Sequence, residues 1–185
     1  MINAALKLFA KNGVGGTSLR MIAAELGVTV AAVYHQYNTK DSIIFAAVES
    51  ELRRLEAVVD AAEAQPTSAR ARDTLVNGMV DLTIGGVGRR VSAVLSDPIV
   101  TGDIGRHARF RALIPRMRRV LMGEGSARES RIRTATFIAA VNGAAIHPFV
   151  ADLDEKTLRR ELRKLALALL PPLVDGDAAL RSTET

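Results

Sequence analysis

Residues 17–45, TSLRMIAAELGVTVAAVYHQYNTKDSIIF, set helix-capping residues between short apolar periods and leave little choice of local fold. Thr17 or Ser18 stands where a hydroxyl oxygen can accept the free N–H groups of a first helical turn. Ile22, Ala23 and Leu26 then share one face, and Gly27 falls where the chain must reverse with a positive φ. Ala23 is small enough for two helices to cross closely. Thr29 caps a second short helix reaching Gln36, and Asn38 and Thr39 break it. Thr39 caps a third helix, with Asp41 in the first turn where the helix dipole favours an anion. Two short helices, a tight turn and a longer helix make a helix-turn-helix, which lays its second helix into the DNA major groove. Val33 and Tyr37 are expected to face inward, leaving Thr29, Val30, Ala32, Tyr34 and His35 on the outer face.

The rest of the chain also reads as helix. Helix 1 is expected over 3–11, with Ala5, Leu8 and Phe9 as its apolar stripe. Helix 4 continues from Thr39 through Ile43, Ile44, Ala47, Val48, Leu52, Leu55 and Val59. Gln65-Pro66-Thr67-Ser68 is the next break, helix 5 covers 69–84, and Gly85-Gly86-Val87-Gly88 ends it. A short helix 6 follows at 89–95, stopped before Asp97-Pro98. Helix 7 is expected over 103–122 with Pro115 kinking it, helix 8 over 127–146, and helix 9 over 154–170 before Pro171-Pro172. The expected organisation is all-α: a three-helix DNA-binding domain at 1–46, a helical effector-binding and dimerisation domain at 47–174, and a loose polar tail at 175–185.

Composition removes whole classes of chemistry. With 185 residues and 48% apolar side chains, a sizeable core can be buried. There is no cysteine, which excludes disulfides, thiolate catalysis and Cys-type metal sites. No run approaches the length of a membrane span, and Met1-Ile2-Asn3 does not open a signal peptide, so a cytoplasmic protein is expected. No HExxH, GxSxG or phosphate-loop pattern is present, so neither an enzyme nor a cofactor is expected. The lone histidines His107 and His147 lack metal-ligand spacing, and no metal is expected. The net charge of +5 does not sit in the motif. It concentrates between Asp103 and Arg133, where nine arginines stand against Asp103, Glu124 and Glu129. That run either greets an acidic effector or is a solvated face.

The segment AALKLFAKNGVGGTSLRMIAAELGVTVAAVYHQYNTKDSII, residues 4–44, resembles the TetR family of bacterial transcriptional regulators. The Leu-Phe-Ala…Gly…Thr-Ser run, the Ile-Ala-Ala-x-x-Gly-Val step and Tyr-His-x-Tyr-x-x-Lys-Asp carry the resemblance together. It implies a homodimer on a palindromic operator in double-stranded DNA, usually a repressor, released by a small-molecule effector in the C-terminal helices. By position, the resemblance makes Thr17 and Lys40 phosphate contacts, Thr29 and Tyr34 contacts from the recognition helix, and His35 a neighbouring contact. Ser18, Val30 and Ala32 complete the candidate DNA-facing set. Each has a plainer alternative: Tyr34 as a packing aromatic, His35 and Lys40 as solvated surface, Thr17 and Thr29 as caps.

Two departures stand out. The family usually places a polar residue where this chain has Val30, and glycine then threonine at Ala31 and Ala32. Methyl groups offer no hydrogen bonds to base edges but pack against thymine methyls, so DNA shape is expected to contribute more. The family also commonly carries a basic arm ahead of helix 1, which is here expected to be abbreviated or missing. A helical protein-interaction module with a vestigial motif is the rival reading.

For the C-terminal part, helices 8 and 9 are the candidate dimer interface. Ile132, Ala135, Thr136, Ala139, Asn142, Gly143 and Ile146 form one face, and Leu158, Leu162, Leu165, Leu169 and Leu170 a leucine stripe. The alternative is that both faces only cover their own domain. An effector pocket is expected among helices 4 to 8, with Met79, His107, Phe110, Leu113, Met117, Phe137 and Asn142 as lining or as ordinary core.

Overall fold

A computed structural model describes residues 1–95, 107–123 and 127–173. Among these, nine α-helices and one 3₁₀ turn account for the regular structure, with no strand. They are α1 (Ile2–Asn12), α2 (Leu19–Leu26), α3 (Val30–Gln36), α4 (Lys40–Glu63), α5 (Ser68–Ile84), α6 (Gly86–Leu95), α7 (Ala108–Met122), α8 (Arg128–Ile146) and α9 (Glu155–Leu169). The 3₁₀ turn, Pro148–Val150, joins α8 to α9. The expected start of helix 7 at 103–106, the Asp97-Pro98 stop and the tail 175–185 lie outside the described residues.

Capping residues place most of these boundaries. Ser18, Thr29, Thr39, Thr67 and Asp154 each accept a backbone N–H of the first turn behind them. At Thr39 the arrangement is reciprocal: Ser42 N–H donates to Thr39 Oγ1 at 3.1 Å, and Thr39 N–H to Ser42 Oγ at 3.3 Å.

α5 is the hub. It packs along α4 and also touches α6, α7, α8 and α9. α1 packs on α2, α4 and α6, so the N-terminal helices share one continuous core with the rest, from Ala5 to Leu170. α4 belongs to both halves: Ile43 and Ile44 sit under the N-terminal helices' core, and Val59 and Ala62 lie deep beside α5. A division at 46/47 therefore falls inside a continuous helix.

Three expectations change. The buried stripe of α1 is Ala5, Leu6 and Phe9, with Leu8 only half-buried. α6 begins at Gly86, not at Arg89, because only Gly85 interrupts the helices. Gly88 is helical and buried. A Cβ there would lie 1.7 Å from the Leu82 carbonyl oxygen, so the residue is glycine for close approach and not for a turn.

Arg72 is a separate finding, since nothing in its local sequence places it inside. It is 7% exposed, and its guanidinium donates to the Pro171 and Leu121 carbonyls. One side chain of α5 thus ties the last turn of α7 to the chain beyond α9. Burial pulls its pKa down from the usual arginine range, with Asp73 acting weakly the other way.

Candidate nucleic-acid interface and effector cavity

The helix-turn-helix is built as its capping pattern implies. Gly27 takes the left-handed conformation (φ 66°, ψ 28°). Its N–H reaches the Ala24 carbonyl at 3.2 Å, and the Val28 N–H reaches Ala23 at 3.0 Å, the paired bonds of a Schellman turn. Val33 is fully buried and Tyr37 half-buried against the core, so α3 is anchored along one side. Ala31, Ala32, Tyr34, His35 and Gln36 are exposed, Tyr34 to 51%. Thr29 is exposed and caps α3, its Oγ1 accepting from Ala32 N–H at 3.2 Å. Val30 is half-buried and packs on the core.

Thr17 and Ser18 divide the work that sequence left open between them. Ser18 caps α2, its Oγ accepting from Met21 N–H at 3.2 Å. Thr17 is 2% exposed and its hydroxyl donates to the Gly13 carbonyl at 2.9 Å. Lys40 is half-buried, its ammonium donating to the Val14 carbonyl at 2.7 Å. Thr17, Ser18, Tyr34 and Lys40 meet at one open hollow of about 410 Å³, together with Gly15, Gly16 and Leu19. Four of the eight sequence candidates therefore share a concave surface. Thr29, Ala32 and His35 are exposed without joining it, and Val30 turns partly inward. Gly15 and Gly16 were missed, because nothing in their sequence spacing marks them as walls.

A second concavity, about 180 Å³, lies among α4, α5, α6, α7 and α8. Met79, Phe110, Met117 and Asn142 line it, with Leu52, Leu55 and Thr83. Phe110, Ile114 and Met117 on α7 supply one wall at helical spacing. Leu113, on a different side of that helix, is buried outside the lining, as is Phe137, at 1% and 0% exposed. Asn142 Oδ1 accepts from Thr83 Oγ1 at 3.4 Å, so this residue turns toward the cavity and away from the rest of its predicted dimer face.

His107 is not part of that lining. It precedes α7, its Nε2 is 3.0 Å from Glu49 Oε2, and its ring stacks obliquely on Phe45 at 5.2 Å. It begins a charge ladder between α7 and α4. Arg109 Nε meets Glu49 at 3.0 Å and its Nη1 meets Glu56. Arg116 meets Asp60 and Glu63. Glu56 foremost, and Glu63 with Asp60, hold these two guanidinium groups above the usual arginine range. Part of the basic run is thus engaged by α4 carboxylates.

The α8 face is uncovered: Ile132 is 67% exposed, and Ala135, Thr136, Ala139 and Gly143 are exposed beside it. The leucine stripe of α9 is split. Leu158, Leu162 and Leu170 are buried within the chain and Leu169 is half-buried, whereas Leu165 faces out at 61%. α9 spends one side on α5 and α8, so only Leu165 of the stripe stays exposed. Phe149, in the 3₁₀ turn, is 88% exposed. Among the described residues no group of acidic and histidine side chains could hold a metal, and no helix is long and apolar enough to cross a membrane.

Residues 1–47 match the family model for bacterial regulatory proteins of the tetR family. No curated protein matches the chain. Among solved structures, the TetR-family regulator PfmR from Thermus thermophilus is 19% identical, covering 95% of this chain and 96% of its own, with a TM-score of 0.64. The fatty acid degradation regulator FadR from Bacillus halodurans is 16% identical over 90% of this chain and 92% of its own, TM-score 0.68. AibR, solved with isovaleryl coenzyme A and operator DNA, is 17% identical over 89% of this chain and 94% of its own, TM-score 0.68. These likenesses show the fold of the chain, and the match to the tetR family of bacterial regulatory proteins is confined to its first 47 residues, the helix-turn-helix part.

Proposed function

We propose that this chain is a DNA-binding transcriptional regulator that acts as a homodimer on a palindromic operator and is released by a small-molecule effector, most simply as a repressor in the cytoplasm. The observation that carries the reading is the exposed flank of α3, with Tyr34 beside Ser18 and Lys40 at one hollow. A hydroxyl at a helix start and an ammonium on the same hollow suit a phosphate group. Thr17 supports the hollow from beneath by holding the loop to Gly13. Ala31 and Ala32 present only methyl groups, which favours thymine contact and shape readout over hydrogen bonding to bases.

Two half-sites a helical turn apart require two copies of α3. The uncovered face of α8, with Leu165 of α9, is the surface proposed to pair them. The cavity beside α4 is proposed as the effector site, in line with the complex of AibR with isovaleryl coenzyme A. Capture of genomic fragments on the purified protein tests the reading. An enriched palindromic sequence is the expected result. Weak binding indifferent to sequence would favour the second reading, a helical protein-interaction module, for which the methyl-only stretch at Ala31 and Ala32 speaks.

A further inference from the structure

We infer that the cavity among α4 to α8 takes a compact lipophilic molecule that carries no negative charge. The inference rests on the regulator reading and names the chemistry of its effector.

Size comes first. The cavity holds about 180 Å³. An apolar protein cavity of about 150 Å³ accommodates benzene, so this one suits a single ring with a short arm. Its walls are chiefly aliphatic, thioether and aromatic, with Leu52, Leu55, Met79, Phe110 and Met117 among them.

Charge decides the class. Among the described residues lining the cavity, the one ionisable side chain is Glu51, a carboxylate only 16% exposed. Arg54 bonds both its oxygens, at 2.8 and 3.0 Å, and is itself half-exposed and outside the lining. The cations of α7 are directed elsewhere: Arg109 and Arg116 are spent on Glu49, Glu56, Asp60 and Glu63. An anionic head entering this space would lose its hydration, meet no cation among the described lining residues and approach the Glu51 carboxylate, whose partner Arg54 lies outside the lining. A hydroxyl or amide head brings no charge to desolvate, and an ammonium head meets the Glu51 carboxylate in return for its lost hydration. Each of these heads can donate to Glu51 or pair with the Asn142 amide beside Thr83.

Three probes of one shape separate these cases: 2-phenylethanol, 2-phenylethylammonium and phenylacetate. Each is titrated into the full chain carrying ¹³C-methyl methionine, with the Met79 and Met117 methyl signals followed by NMR. The alcohol and the amine should shift both signals saturably, with phenylacetate at least about tenfold weaker. Glu51→Gln should narrow the gap between amine and phenylacetate. Phenylacetate binding as tightly as the other two overturns the inference, and so does failure of all three at millimolar concentration. Operator capture by the ligand-free protein is measured in parallel. If capture succeeds while phenylacetate is preferred, the ligand class fails and the regulator reading stands. If capture fails while the charge preference holds, the regulator reading fails alone.

Discussion

The ammonium of Lys40 lies 2.7 Å from the carbonyl oxygen of Val14. The bond fixes the first turn of α4 to the loop that follows α1, and an ammonium has two further N–H groups to offer. Lys40 is thus both a strut and a cation at the hollow it shares with Ser18 and Tyr34. Lys40→Met should weaken operator binding at all sequences and lower the dependence of log affinity on log salt by about one. Fluorescence anisotropy across a salt series measures both. An unchanged slope would leave Lys40 with the strut alone.

Tyr34 reaches solvent from α3 with half its surface free. If it meets the DNA backbone, Tyr34→Ala should reduce affinity for every single-base operator variant by a similar factor, about fivefold to tenfold for one lost contact of about 1 kcal/mol. Tyr34→Phe should reproduce most of that loss if the hydroxyl makes the contact. A loss confined to one base position would convert Tyr34 into a base reader.

Ile132 and Leu165 are large, apolar and exposed on adjoining helices. If these two residues sit at the proposed pairing surface, substituting glutamate at either should raise the dissociation constant of the proposed dimer by about 30-fold or more, as expected of a central interface residue. Sedimentation velocity reports the change, and far-ultraviolet circular dichroism should show helicity retained. A variant that stays dimeric at low micromolar concentration would move the interface elsewhere.

Arg72 fills a different role, because its partners are backbone carbonyls of Leu121 and Pro171. Arg72→Met keeps the aliphatic stem and leaves both acceptors without this donor. The expected cost is about 2 kcal/mol, or a melting temperature lowered by roughly 4–8 °C. Thermal denaturation checks it. Arg72→Lys should rescue little, since an ammonium lacks the fork that spans two acceptors.

Asp154 gives a pH signature. Its carboxylate accepts from Thr157 N–H at 2.9 Å and from the Thr157 hydroxyl at 2.8 Å, and these bonds, the backbone one foremost, hold its pKa below the usual carboxylate value. A group depressed on folding stabilises the fold above its unfolded pKa, about 4, and loses that contribution as pH falls through the lower folded value. The first turn of α9 should therefore fray on the acid side of pH 4. Asp154→Asn should show a flatter stability profile there, while keeping a cap at neutral pH. A carboxylate titrating at its ordinary value by NMR would refute the assignment.

The N-terminal half was legible because its signals are local. A hydroxyl at residue 18, 29 or 39 and a glycine at 27 act within one turn of themselves, and apolar spacing placed Val33 inside. What failed to show depends on distant partners. Thr17 reads as a cap or a phosphate contact, yet the loop folds over it and its hydroxyl donates to Gly13. Gly88 reads as a breaker, yet its missing side chain answers to the Leu82 carbonyl. His107 reads as pocket lining, yet Glu49 and Phe45 on α4 claim it. The stripe on α9 was correctly apolar, but periodicity does not say which neighbour covers which leucine. Arg72 finds its acceptors 49 and 99 residues away. Four of the seven expected cavity residues line it, because adaptable and aromatic side chains at helical spacing mark an apolar wall without telling a filled one from a hollow one.

α4 runs from Lys40 to Glu63 with neither proline nor glycine. Its first residue borders the hollow shared with Ser18 and Tyr34, and Leu55, about 22 Å further along the axis, forms part of the cavity wall. An uninterrupted helix of that length has no built-in kink point, so a shift at one end is carried toward the other. Sensitivity is then a matter of leverage: substitutions that soften the middle of this rod, Ala46→Gly for example, should uncouple the proposed effector end from the proposed DNA end while leaving the fold of each in place.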